Sequence, residues 1–432
     1  MSDALPLPAR PNLEQYKKRA KDLVKVCKAG DRDALRAWLT EWIESLVRLP
    51  RDGHRPYTAR EIGYLIQRAF DRVTQHLVAT DQSPHGTCTL TRAQFALARE
   101  HGFASWPKFA KHLEGLARAR SPVSAFEEAV DAIVNGDLEA LEKLLSENPA
   151  LVRARSTREH RSTLLHYVSA NGVEDFRQKT PKNIVEITRL LLKTGADVNA
   201  ESDAYRGRST TLGLTATSYH PEAAGVQLAL LELLIEQGAM IDAPDGGSAV
   251  NGCLHNGRGQ AAEFLARRGA RLDLEGAAGV GRLDVVTSFF GDDGSLKPPA
   301  TQSQMHAGFA WACEFGRTEV VDFLLQRGME VDAKVTQHGG ETGLHWAAFA
   351  GHVDIVSLLL ERGAPVDVKD KRFNGTPLDW TLHEWAFSAD KPDRDKCYEV
   401  VSRLARAGAK LDPRWHEERI QSDPRMLAAL RG

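Results

Sequence analysis

Residues 340–368, GETGLHWAAFAGHVDIVSLLLERGAPVDV, constrain the fold most, because their parts recur along the chain. Thr342-Gly-Leu-His345 begins a short helix, and the Thr342 hydroxyl is placed to cap it. The small pair Ala347-Ala348 lets neighbouring helices approach closely. Gly351-His352 breaks the chain, and Ile355, Val356, Leu358 and Leu359 make the buried stripe of a second helix. Gly351 and Gly363 are expected to take positive φ at the helix ends. Aligning the closing Gly-Ala finds the other copies: LLLKTGADVNA ends at Ala200, LLIEQGAMIDA at Ala243, FLARRGARLD at Asp273, FLLQRGMEVDA at Ala333 and LARAGAKLD at Asp412. A degenerate unit fills 275–290, and an opening unit fills 125–152.

This pattern strongly resembles the ankyrin repeat, with its TPLH-x-AA opening and period of about 33 residues. About eight units are expected over 121–412, with a capping helix over 413–432, since an end repeat needs a polar outer face. The first third differs. NLEQYKKRAKDLVKVCKAGD, DRDALRAWLTEWIESL, TAREIGYLIQRAFDRVTQHL and SWPKFAKHLEGLARA each show helical periodicity. With LTRAQFALAREHGFASWPKFAKHLE, this region looks like the N-terminal part of a group of bacterial ankyrin-repeat proteins of similar length. The resemblance spans essentially the whole chain. It implies a helical N-terminal domain over 1–120 packed on the first repeat and a bacterial cytoplasm, and it carries no established activity. The expected fold class is therefore all-α: an ankyrin-repeat solenoid of helix-turn-helix units with short β-hairpin loops, preceded by a small helical domain.

Composition narrows the function. At 42% hydrophobic and 26% charged, the chain belongs with globular proteins rather than disordered ones. The net charge of −2 hides an asymmetry: residues 1–120 hold 21 Lys+Arg against 13 Asp+Glu, leaving 35 against 45 for the rest. A basic arm on nucleic acid would use that excess, but mixed charges on solvated helix faces explain it equally, and no clustered recognition helix follows. Nucleic acid is not the expected partner. Cys27, Cys88, Cys253, Cys313 and Cys397 are far apart with no C-x-x-C, which predicts neither a disulfide framework nor a zinc knuckle and suits a reducing compartment. The N-terminus lacks the apolar core of a signal peptide, and no run approaches the roughly 20 apolar residues of a membrane span. A cytoplasmic protein with no membrane contact is expected.

Departures from the repeat supply the candidate sites. The resemblance implies that the His of TPLH makes a local hydrogen bond steadying turn and helix. That slot reads His166, Gly213, Asn251, Glu275, Ala310, His345 and Asp379. Asn251 and Asp379 are hydrogen-bonding swaps. Glu275 puts a carboxylate at a half-buried position, where it must be paired, with Arg258 or Arg282 within reach, or have its pKa raised. A raised carboxyl is what general acid–base chemistry uses. The following position, expected to face the concave side, reads Tyr167, Leu214, Gly252, Gly276, Trp311, Trp346 and Trp380. Three tryptophans and two glycines predict a hollow over Gly252 and Gly276 with aromatic walls, rimmed by Asn251, His255, Asn256, Arg258, Glu275 and Glu314.

Two functions fit these residues. In the first, the groove holds a protein or peptide partner, anchored by Tyr167, Trp311, Trp346 and Trp380, as tryptophans often anchor interfaces. In the second, the hollow is a small-molecule site or a metal-free isomerase, lyase or cyclase. There Glu275 or His255 is acid or base, and Asn251, Arg258 and Glu314 orient the substrate. No cofactor is implied, and no metal-ligand cluster, P-loop or G-x-S-x-G elbow is present. The interaction scaffold is the main expectation, because a repeat array binds by surface and needs no chemistry. Insertions at 173–183, 220–226 and 386–396 are further candidates, since loops on a rigid scaffold often carry function. The first two hold Glu174, Asp175, Arg177, Gln178, Lys179 and His220.

Overall fold

The computed structural model describes residues 4–8, 10–48, 57–78, 88–242, 247–335, 339–387, 391–415 and 418–432. These are mostly helical, with two antiparallel two-stranded hairpins. The chain divides into two compact units, Met1–Ile241 and Asp242–Gly432.

The first unit opens with helices Leu13–Lys28, Arg32–Val47, Ala59–Val78, Leu90–Glu100 and Trp106–Leu116. Their starts follow from sequence: Asn12, Asp31 and Thr89 each accept a backbone N–H of the first turn. Their apolar faces meet around Leu23, Leu39, Trp42, Ile43, Phe70, Val73 and Leu97. Part of the basic excess is tied up in pairs, such as Lys17–Glu14 at 2.7 Å and Arg72–Glu100 at 2.5 Å. One expectation is corrected here. Cys27 and Cys88 form a disulfide, with Cα atoms 6.0 Å apart across a sequence separation of 61. No local spacing could signal a bridge between the end of one helix and the start of another, and it removes the argument from cysteine usage for a reducing compartment. Cys253, Cys313 and Cys397 are free and buried.

Helix pairs follow. In the first unit they begin at Pro122–Asn135, Leu164–Ser169 (a 3₁₀ turn) and Thr211–Thr217. In the second they begin at Ala249–His255, Leu274–Gly279, Gln302–Glu314, Gly343–Phe349 and Pro377–Phe387. Hairpins Glu201–Ser202/Ser209–Thr210 and Lys334–Val335/Glu341–Thr342 lead into two of them. Gly351 and Gly363 close helices at φ 73° and 84°, as the sequence requires.

The His slot works in both directions. His345 Nδ1 receives the Thr342 backbone N–H at 3.1 Å, and Nε2 lies 3.2 Å from the Gly375 carbonyl. His166 does the same with Thr163 at 3.1 Å and the Ser209 carbonyl at 3.2 Å. Gly375 and Ser209 each precede the residue that starts the next unit, so one imidazole caps its own helix and holds the following one.

The insertion at 173–183 folds inward instead of presenting its charges. Glu174 and Arg177 join Glu127 and Arg158 in a buried network: Arg158–Glu127 2.7 Å, Arg158–Glu174 3.0 Å and Arg177–Glu127 2.6 Å. Tyr167, expected on the groove face, is fully buried under this network and donates to Glu174 at 3.3 Å. The reason is the insertion itself, which covers the position that would otherwise face outward. Burial would raise the Glu127 carboxyl, but Arg158 and Arg177 overcome it and hold it at about 2. Glu174 is likewise held well below the usual carboxylate range: Arg158 and His160 outweigh the effect of burial.

Two predictions follow from these contacts. Arg158→Met leaves two carboxylates underpaired in the interior and should cost about 3–5 kcal/mol in denaturant unfolding. Burial also depresses the histidines of this unit, His166 and His112 to about 4 and His101 to about 3. Each is neutral when folded and takes up a proton first in the unfolded chain, whose histidines titrate near 6.5. Their contribution is thus complete above about pH 6.5 and is lost as pH falls toward about 4. Thermal melts should show that decline, and His166→Asn should reduce it.

Candidate binding site

The second unit brings most of the expected site residues together. From helices Ala249–His255, Leu274–Gly279 and Gln302–Glu314 come His255, Glu275, Trp311 and Glu314. His255 Nε2 lies 2.9 Å from Glu275 Oε1, and the Trp311 indole donates to the same oxygen at 2.9 Å. The His255 and Trp311 rings stand edge to face at 5.0 Å. Glu275 is therefore paired, with His255 and Trp311 as partners.

Glu275 does not occupy the His slot. Asp273 caps its helix by accepting the Gly276 N–H at 2.8 Å, so Gly276 sits three residues past the cap, where His345 sits past Thr342. The misreading has a physical origin: the cap is an Asp rather than a Thr, and the unit is shortened. Likewise Ala310 does not make the cap of its helix. Helix Gln302–Glu314 starts earlier, and Thr301 and Gln304 form its capping box.

The expected hollow over Gly276 is filled. A Cβ placed there would meet Asn251 Oδ1 at 2.6 Å. Asn251 reaches across because its Nδ2 donates to Asp273 Oδ2 at 2.9 Å, gripping the cap of the next unit. The polar rim is nonetheless real in part. Burial pushes the Glu314 carboxyl up to about 7, against the pull of Arg258 and His255, and its buried Oε2 has no hydrogen-bond partner.

The tryptophans form a continuous run, with Trp311 and Trp346 6.1 Å apart and Trp346 and Trp380 5.3 Å apart. Trp311 is 2% exposed, so it supports the run from beneath instead of lining the groove. Trp346 and Trp380 are half-buried and open onto a pocket of about 550 Å³. Phe349, Phe373 and Trp415 complete its aromatic wall, with Glu341 and Asp379 among them and Arg372, His383 and Arg414 also lining it. Trp380 is the hub: Trp346, Phe349 and Phe373 stand at 85°, 81° and 70° to it. Its indole N–H is turned inward to Asp370 at 3.1 Å, and that of Trp415 to Asp379 at 2.8 Å.

Sequence reasoning found Trp346 and Trp380 but missed Phe349, Glu341 and Trp415. Phe349 lies one helical turn beyond Trp346, and that spacing could have found it. Trp415 belongs to the segment read as a cap, and nothing in the repeat register shows it returning to Asp379.

Residues 274–370 match the family model of ankyrin repeats, in three copies. Among solved structures, the chain is similar to the human ASB11 ankyrin repeat domain, with 20% identity over 66% of this chain and 99% of that one, and a TM-score of 0.33. No curated protein matches. Among the described residues, no helix is long and apolar enough to cross a membrane.

Arg258 should be what keeps Glu314 from rising further. Arg258→Gln is expected to move the Glu314 midpoint above 7 in a carbon-detected NMR titration, and an unchanged midpoint would remove Arg258 from this cluster.

Proposed function

We propose that the chain is a protein-interaction scaffold whose second unit seats a protein or peptide partner on Trp346 and Trp380. The observation that carries this reading is the half-open aromatic pocket on the first helices of consecutive repeats. Large aromatic rings that are partly desolvated in a preformed hollow supply contact area at little entropic cost, and such residues dominate interface energetics. The match to ankyrin repeats supports the same reading, since repeat arrays present extended binding surfaces. Trp311 contributes from below by fixing the run.

The test is a co-purification from the native host followed by titration of the captured partner. Trp346→Ala should weaken the complex by about 2 kcal/mol or more, roughly thirtyfold, while circular dichroism stays unchanged. A complex indifferent to Trp346→Ala and Trp380→Ala would place the interface elsewhere.

A second reading rests on Glu314. A carboxyl near neutrality with an open oxygen, beside His255 and Arg258, suits a small polar ligand. Native mass spectrometry distinguishes the two: a retained small molecule favours this reading, and a co-purifying protein favours the scaffold.

A further inference from the structure

The aromatic pocket has an electrostatic character that an ordinary apolar anchor site lacks. Two buried carboxylates stand in its wall. Asp379 is committed: Oδ2 accepts the Thr376 backbone N–H at 2.8 Å and hydroxyl at 3.0 Å, and Oδ1 accepts Trp415. Glu341 is not. The residue is 1% exposed, and its Oε2 is buried without a hydrogen-bond partner. Burial raises its carboxyl, as expected for an anion lacking a cation. A third carboxylate, Asp370, lies behind the wall and takes the Trp380 indole together with the Arg372, Phe373 and Gly375 backbone N–H groups.

The cations that line the pocket are occupied in other ways. Arg414 pairs with Asp412 at 3.1 Å and lies 3.6 Å from Asp379, and Arg372 lies over the Phe373 ring at 4.9 Å. Both are exposed, whereas the carboxylates are buried. The interior is thus anionic and aromatic, and the positive charge sits at the mouth. With the Trp380 and Trp415 N–H groups turned to Asp370 and Asp379, these indoles present ring surface to the cavity. Ring faces carry negative potential and attract cations, most strongly for Trp.

We infer that this pocket receives an organic cation, an alkylated ammonium head whose methyl groups lie against Trp346 and Trp380 and whose remaining N–H reaches Glu341. This inference rests on the scaffold reading, whose partner would then carry the cation on a side chain; a free amine shares the chemistry. Each part of the head has a match. The rings desolvate the alkyl groups at low cost, and the open carboxylate oxygen gains the donor it lacks. A bare ammonium is more strongly hydrated and gives up more on entry.

The probe is trimethylammonium, with tert-butanol as a neutral compound of similar shape. Binding is followed by the indole N–H signals of Trp346 and Trp380 in the isotope-labelled full chain. Trimethylammonium should shift both signals saturably, and tert-butanol should need about tenfold higher concentration. Glu341→Gln should weaken trimethylammonium about tenfold and leave tert-butanol unchanged. That variant is isosteric and breaks no hydrogen bond to the Glu341 carboxylate oxygens, so it should fold. Equal binding of both probes, no shift of either signal, or a Glu341→Gln variant that binds trimethylammonium normally would overturn the inference. The scaffold reading would then still stand or fall by the Trp346→Ala complex. A blocked dimethyl-lysine that binds at least tenfold tighter than trimethylammonium assigns the cation to a partner side chain. Equal affinity assigns it to a free amine, and either result upholds the pocket.

Discussion

The structure depends on one reach, from the third residue of each repeat to the start of the next. Where that residue is His, one ring nitrogen caps its own helix and the other holds the carbonyl just before the next cap, as His345 does with Gly375 and His166 with Ser209. Where it is Asn251, the amide grips the next cap, Asp273, directly. In the pair that begins at Pro377–Phe387 the slot is Asp379. It keeps the cap with one oxygen and spends the other on Trp415, at 2.8 Å. The variation in this slot is thus one function met by different side chains. It also explains how the tail is drawn under Trp380 to complete the pocket.

Carboxylates divide the molecule into settled and unsettled regions. Glu127 and Glu174 lie as deep as any group in the chain, yet they are held ionised by Arg158 and Arg177. That network is costly to break and has no open atom to offer a carboxylate-seeking ligand. Glu314 and Glu341 are the opposite case. Each is pushed upward by burial, and each has an oxygen with no partner. Leaving such an atom unpaired costs stability. The two unsettled carboxylates belong to consecutive units of the repeat array, beside Trp311 and Trp346.

How far the sequence could be read follows from the range of the interactions. Helix starts and stops were legible, because caps and positive-φ glycines act within four residues. Trp346 and Trp380 were legible for the same reason, since the register of one helix fixes which face a side chain takes. Glu275 was misplaced because its unit starts with Asp273 and is shortened, and register read from a Thr-led repeat slipped by one residue. Tyr167 was misjudged because Glu174 and Arg177, from an insertion expected at the surface, turned inward and covered it.

The sequence by itself determined the repeat, its helices and the pairing of His345 with Thr342, all of which are local. The tertiary structure decided the rest: that Asn251 fills the space over Gly276, that Cys27 meets Cys88, that Trp311 is buried while Trp346 is open, and that Trp415 closes on Asp379. These depend on which side chains arrive from other units, and no spacing along one unit encodes the occupant of space left by another.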